Sequence, residues 1–232
     1  MIGIIGAMEV EITGLLQEME NVEEIKIFDL VFYKGVLRTK KVVLVRCGIG
    51  KVNAGRAATM LIGQFNVNII INTGVAGGIN PNLNIGDIVI SDSLIQYDIN
   101  AQIFGYSLGQ MPGVDTSFFK ANDNLIKIAK EKANQVFKNK NLNVSIGKIG
   151  TADKFVDSAH DKAQIAELFN VDCVEMEGGA IAQICYLSDT PFVVIRAISD
   201  KADGDAPEVF TEFVDEAAQN SGMLVKAMLE AI

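Results

Sequence analysis

Apolar residues along this chain recur with two periods, and the two periods alternate. Residues 2–6 (IGIIG) form a short apolar run closed by glycine, after which Met8, Ile12, Leu15, Leu16 and Met19 return at helical spacing. Residues 31–36 and 41–47 predict strands, the first with apolar and polar positions partly alternating. The small-residue stretch 50–65 predicts a helix, and 68–72 (NIIIN) a fully buried strand of the parallel kind. A strand over 87–95 leads into an irregular stretch, 98–119, long enough to mark a loop that is functional or covered by a partner. Helices are predicted over 123–137, 159–169 and 177–186, and strands over 144–149, 171–175 and 192–198. The last helix carries Phe210, Phe213, Val214, Ala217, Leu224 and Met228 on one face.

Strand–helix alternation with no Pro/Gly/Ser linker, repeat or low-complexity tract predicts one α/β domain spanning residues 1–232. The expected architecture is a three-layer α/β/α sandwich around a central mixed, mostly parallel twisted sheet. A length of 232 residues suits one such domain better than two. With 49% hydrophobic residues the chain is not a disordered one, and a formal charge of −9 makes it a poor match for nucleic acid or an anionic membrane. Cys47, Cys173 and Cys185 are odd in number and far apart, and with His160 as the single histidine no zinc set can be assembled. They read as buried free thiols in a reducing cytoplasm. The N-terminus has no basic segment before its apolar run, and no apolar run approaches the roughly 20 residues of a membrane span. A soluble cytoplasmic protein is expected.

In sheets of this kind ligands bind beyond the carboxyl ends of the strands. Four predicted strands run into Gly6-Ala7-Met8-Glu9-Val10-Glu11, Thr73-Gly74-Val75-Ala76-Gly77-Gly78, Glu175-Met176-Glu177 and Ile198-Ser199-Asp200. The glycine patterns are not phosphate loops: GxIGAM is not GxGxxG, and TGVAGG lacks the Lys-Ser/Thr of a P-loop. The second is either a tight turn where backbones pass close together or a place where backbone lies against a ligand. Each carboxylate alone has an ordinary reading. Glu11 flanks the helical stripe, Glu175 and Glu177 suit a helix N-terminus, and Asp200 could cap a turn. Together, at successive strand ends of one sheet, they form a candidate acid/base site.

The motifs IGIIGAMEVEI, GIGKVNA, IINTGVAGG, VEMEGGAIA, FVVIRAISD and FTEF resemble the 5′-methylthioadenosine/S-adenosylhomocysteine nucleosidase family, within the purine nucleoside phosphorylase and uridine phosphorylase superfamily. The resemblance runs from Ile2 to about Leu229 and implies a nucleoside phosphorylase-like fold. It implies hydrolysis of an N-ribosidic bond, releasing adenine and a 5-thio-substituted ribose. By resemblance Asp200 is the general acid at adenine N7, and Ser199 helps set its pKa. Glu11 is the base for the attacking water, which Arg196 helps hold, and Glu177 binds the ribose hydroxyls with Glu175 beside it. Met176 packs on the sugar, Phe155 stacks on the purine unless it is plain core, and the Val156 backbone reads the purine edge. Met8, Ile49 and Phe210 surround the 5′-substituent, with Val75 in the turn beside the water. Ile103, Phe104 and Tyr106 lie in the long loop, which by analogy closes the pocket of a neighbouring subunit in a homodimer. Three positions depart from the family pattern. Val75 stands where Ser is frequent, Tyr97-Asp98 replaces His-Asp, and the purine segment reads TADKF instead of SGDxF.

Three rival readings fit parts of the sequence. A phosphorylase would need guanidinium groups for phosphate, yet the chain has four arginines and carboxylates soon after the first strand. A non-catalytic nucleoside-binding module would need a pocket without acid and base together. A hydrolase of a related nucleoside, such as 5′-deoxyadenosine or aminodeoxyfutalosine, would use the same apolar 5′ pocket. No metal or organic cofactor is implied, and small adenine nucleosides are the expected partners.

Overall fold

A computed structural model describes residues 1–232. The chain opens with β1 (Ile2–Gly6), α1 (Glu9–Leu16) and three strands, β2 (Glu20–Ile27), β3 (Leu30–Leu37) and β4 (Lys40–Arg46). Then follow α2 (Lys51–Phe65), β5 (Ile69–Gly78), β6 (Ile88–Gln96) and, inside the long irregular stretch, a 3₁₀ turn (Gln102–Phe104) and the short β7 (Phe118–Lys120). The remainder is α3 (Asp123–Val136), β8 (Val144–Thr151), α4 (Ala159–Phe169), β9 (Cys173–Glu175), α5 (Gly178–Leu187), β10 (Phe192–Asp200) and α6 (Ala206–Leu229).

All ten strands join one mixed sheet in the order β10-β6-β8-β9-β5-β1-β4-β3-β2, with β7 on β6. Pairing is parallel for β1 with β4 and β5, for β5 with β10, and for β8 with β6 and β9. It is antiparallel for the β2–β3 and β3–β4 hairpins and for β6 with β7 and β10, as well as β5 with β9. The sheet is therefore mixed, as expected, but antiparallel pairs lie inside it, at β5–β9 and β6–β10, as well as on its flanks. The sheet is also partly closed. β10 pairs with β5 as well as β6, so the strands β10-β6-β8-β9-β5 close on themselves as a barrel-like ring.

Alternate strand residues divide between two cores, as the pleat requires. Ile5, Val43, Ile70 and Val194 pack with Ala57, Leu61 and Ile181 of α2 and α5. Ile4, Leu44, Ile71 and Val193 pack with Ile12, Leu125, Leu224 and Met228 of α1, α3 and α6. Each fully buried aliphatic side chain contributes about 1.5–3 kcal/mol relative to exposure, which fixes which helices cover which face. A smaller cluster seats Ile165 and Phe169 of α4 against Val171 and Val174.

The strand β2 is absent from the apolar pattern for a physical reason. Its sequence, ENVEEIKI, pairs only with β3, and most of its side chains face solvent. An edge strand rich in charge discourages pairing with other chains, so its polarity hides it from a hydrophobicity reading. The segment TGVAGG, read from sequence as a tight turn or as backbone lying against a ligand, is no turn: it continues β5 to Gly78, and Val75, Ala76 and Gly77 line the cavity described below. Its glycines serve close approach within the strand. A Cβ at Gly74 would lie 2.5 Å from Glu11 Oε1 and 2.9 Å from Arg196 Nη1, and one at Gly77 would lie 2.9 Å from Asp200 Oδ1. Gly74→Ala is expected to cost about 1–3 kcal/mol through overpacking, lowering Tm by roughly 2–10 °C. An unchanged melting curve would mean the carboxylate can leave this position freely.

Candidate active site

The first functional carboxylate is set by the start of α1. Glu11 sits at the third helical position and turns back, accepting hydrogen bonds at Oε2 from the N–H of Ala7 (2.6 Å) and Met8 (2.9 Å). Its Oε1 accepts from the N–H of Val75 at 3.2 Å, across on β5. Although it flanks the apolar stripe of α1, Glu11 is buried. Burial raises its pKa, against the opposing pull of Arg196 and these three amides.

β10 brings two further groups. Arg196, 1% exposed, donates from Nη2 to Asn72 Oδ1 (2.7 Å) and forms an ion pair with Glu175. Asp200 ends the strand. Its Oδ2 accepts from Ser199 Oγ at 2.9 Å and its Oδ1 from the N–H of Ala202 at 2.8 Å. Burial raises the Asp200 pKa despite both hydrogen bonds. Asp200 and Glu11 therefore differ in surroundings. Asp200 has no guanidinium partner, whereas Glu11 feels Arg196.

The end of β9 and the first turn of α5 hold the other pair. Glu175 accepts at Oε2 from the N–H of Glu177 (3.1 Å) and Gly178 (2.6 Å), and at Oε1 from Thr151 Oγ1. It thus occupies the helix N-terminus where orphan amides favour an anion. Glu177 accepts at Oε1 from the N–H of Gly50 at 2.7 Å and lies 4.0 Å from Arg196 Nη2. Burial first, and the Glu175 charge second, push the Glu177 pKa up to about 8.

These groups meet at a cavity of about 600 Å³, including space at its open mouth. Glu11, Glu175, Glu177, Ser199 and Asp200 line it together with Met8, Ile49, Val75, Phe155, Val156, Met176 and Phe210. Phe155 is 41% exposed and meets Phe210 edge-on with ring centroids 5.7 Å apart, so it forms a cavity wall and is not plain core. Arg196 stands behind the lining, and its contact is with the carboxylates. Phe104 and Tyr106 do not line this cavity. Phe104 closes the 3₁₀ turn and Tyr106 follows it in the long loop, where Ile103 and Phe104 are 88% and 78% exposed.

Lys154 is the one cationic side chain in the lining, and it is paired with Asp161 at 2.7 Å. No group of three or more His, Cys, Asp or Glu side chains is arranged to hold a metal ion. The three cysteines are buried and unpaired, and burial pushes the Cys185 thiol up to about 12, which leaves it unreactive. Sequence reasoning missed Asn72, Thr151 and the Gly50 amide as partners of the site. Asn72 carried a signal, a polar residue ending the apolar run NIII, whereas nothing local marks Thr151 or Gly50 as carboxylate partners.

Residues 1–230 match the phosphorylase superfamily. The chain belongs to the phosphorylase superfamily. Among its members, it is 42% identical over 233 residues to the 5′-methylthioadenosine/S-adenosylhomocysteine nucleosidase of Staphylococcus aureus, covering all of both chains. The nucleosidase of that name from Neisseria meningitidis, crystallised with methylthio-immucillin-A, superposes with a TM-score of 0.96 at 40% identity, covering 100% of this chain and 99% of that one. The futalosine hydrolase of Helicobacter pylori gives a TM-score of 0.93 at 34% identity, covering 100% and 97%. No helix of this superfamily member is long and apolar enough to cross a membrane.

The raised pKa of Glu177 makes a prediction about stability. From the ordinary value of 4.5 up to about 8 the folded protein holds a proton that the unfolded chain has lost, so stability falls as pH rises through that window. Glu177→Gln removes this dependence. Its melting temperature is expected to match that of the wild type near pH 4.5 and to exceed it increasingly toward pH 8.5. Parallel curves for the two proteins across this range would show that Glu177 titrates normally.

Proposed function

We propose that this chain hydrolyses the N-ribosidic bond of 5′-methylthioadenosine and S-adenosylhomocysteine, releasing adenine and a 5-thio-substituted ribose. The observation that carries this reading is one cavity that presents Glu11 and Asp200, two buried carboxylates with raised pKa values, in different environments. Asp200 gives its proton to adenine N7 as the C1′–N9 bond breaks, so the base leaves neutral. Glu11 takes a proton from the water whose oxygen bonds to C1′. Glu177 binds the ribose hydroxyls, and the neighbouring carboxylates stabilise positive charge developing on the sugar. Val75 brings no hydroxyl to this water, so its backbone N–H acts only by holding Glu11.

Phe155 stacks on the purine and the Val156 backbone reads its edge. Met176 packs on the ribose, and Met8, Ile49 and Phe210 receive the 5′-substituent. Arg196 acts through the carboxylates it orients. The exposed Ile103 and Phe104, with Tyr106 beside them, support a homodimer in which this loop closes the partner's pocket. One sheet running through the chain supports a single domain over residues 1–232, in which helices on two faces retain the layered α/β/α plan. Buried free thiols suit a reducing cytoplasm. A pathway that salvages methionine and clears S-adenosylmethionine by-products is the setting this chemistry fits. The likeness to futalosine hydrolase favours futalosine-type nucleosides as a second substrate class.

Adenine release from 5′-methylthioadenosine is expected to proceed equally with and without phosphate, giving free 5-methylthioribose. Strict phosphate dependence with a sugar 1-phosphate product would overturn the hydrolytic reading. Asp200→Asn and Glu11→Gln are each expected to lower kcat by about 10²–10⁴-fold while nucleoside binding persists, the range of a lost general acid or base. Near-wild-type turnover in either variant would remove that residue from its role.

A further inference from the structure

Three charged residues outside the cavity lining form a closed set of contacts. Lys51 Nζ pairs with Asp98 Oδ1 at 2.7 Å. The N–H of Lys51 donates to Asp153 Oδ1 at 2.8 Å, and the N–H of Asp153 donates to Asp98 Oδ2 at 3.2 Å. Each member thus holds both of the others. We propose that Asp98, Lys51 and Asp153 form a clasp that fixes the purine wall of the cavity to its sugar wall, making them positioning residues for the reaction. The inference rests on the nucleosidase reading.

The two walls are adjacent in sequence to the clasp. Asp153 begins the segment that continues into Phe155 and Val156, both in the cavity lining. Lys51 begins α2 and follows Ile49, which lines the cavity, and Gly50, whose N–H holds Glu177 Oε1 at 2.7 Å. Gly50, with φ of 99°, has no side chain with which to cap α2, and a Cβ there would come within 3.0 Å of Asp153 Oδ1. The Asp153 carboxylate supplies the cap from another element, placing an anion where orphan amides and the helix dipole favour one. Asp98 then secures that arrangement from the start of the long loop. Lys51 and Asp98 side chains are 18% and 32% exposed, so their pair is partly shielded from solvent. An isolated pair of this exposure would be worth little. Its value here is geometric, because two of the three contacts hold backbone amides of the walls themselves.

A nucleoside spans base and sugar and must meet both walls at their fixed spacing, whereas free adenine meets only one. The clasp is therefore tested by comparing the two ligands in Asp98→Asn and Asp153→Asn. In each variant kcat/KM for 5′-methylthioadenosine is expected to fall about fivefold to tenfold, the equivalent of about one hydrogen bond, while adenine Kd stays within about twofold. The double variant should be no worse than the weaker single one, since either change opens the same set, and Lys51→Arg should retain most activity. The proposal is overturned by wild-type kcat/KM in both single variants, by equal losses for adenine and nucleoside, or by losses that multiply in the double variant. Should Asp153→Asn fail to fold, Asp98→Asn decides by the same comparison. A wild-type protein that releases no adenine overturns the nucleosidase reading and the clasp together; an active wild type with indifferent variants overturns the clasp alone.

Discussion

A guanidinium with almost no contact with water organises this structure. Arg196 must be compensated inside the protein, because an unpaired buried cation is strongly destabilising. Three carboxylates answer it. Glu175 pairs directly, Glu177 lies 4.0 Å away, and Glu11 feels its charge. One cation among three carboxylates leaves the group over-compensated, so at least one carboxylate must retain a proton or gather further donors. Both occur. Glu177 keeps its proton to about pH 8, while Glu11 and Glu175 collect backbone amides from Ala7, Met8, Val75, Glu177 and Gly178. The lack of a side chain at Gly74, the Asn72 carboxamide and the start of α1 at Glu9 each answer this crowding.

The same constraint separates the roles of the two proposed catalytic carboxylates. Glu11 is desolvated but faces the field of Arg196, an environment in which an anion is tolerated and remains basic. Asp200, at the other strand end, is raised first by burial; it receives the Ser199 hydroxyl and the Ala202 amide, while Asp203 adds a like charge that Lys162 partly opposes. A carboxyl there holds its proton more readily than an ordinary aspartate. Acid and base are thus distinguished by what surrounds them and not by residue type, the arrangement that lets two carboxyl groups perform opposite transfers at one pH. Gly77 permits this, since any side chain there would collide with Asp200 Oδ1.

Much of this was legible in the sequence because burial writes itself in apolar periodicity. The central strands and the helices were found where the pattern predicted them, and the carboxylates followed from asking what stands at the strand ends. Two kinds of feature were hidden. β2 is an edge strand with exposed charge, so it lacks the apolar alternation that marks a half-buried strand. Closure of the ring through β5 and β10 depends on long-range pairing that no local pattern encodes. The glycine segment after Asn72 is open in sequence to two readings, a tight turn or backbone lying against a ligand; it continues a strand that lines the cavity and makes room for side chains from α1 and β10. Partners such as Thr151 and Gly50 come from distant elements, and their ordinary chemistry gives no local clue.

The choice between water and phosphate follows from where positive charge is available. Phosphate is a multivalent oxyanion and requires free cationic donors at the reacting carbon. Arg196 is committed to Glu175 and Asn72, Arg46 pairs with Glu9, Arg56 with Asp29, and Arg38 with Glu18. The lining offers only Lys154, already paired with Asp161, against Glu11, Glu175, Glu177 and Asp200. An incoming anion would meet a surface whose guanidinium is spent and whose backbone amides from Ala7, Met8 and Val75 already point at Glu11. Water carries no such charge and needs only a base within reach. The arrangement that stabilises the buried arginine is therefore the one that favours water over phosphate in the proposed reaction.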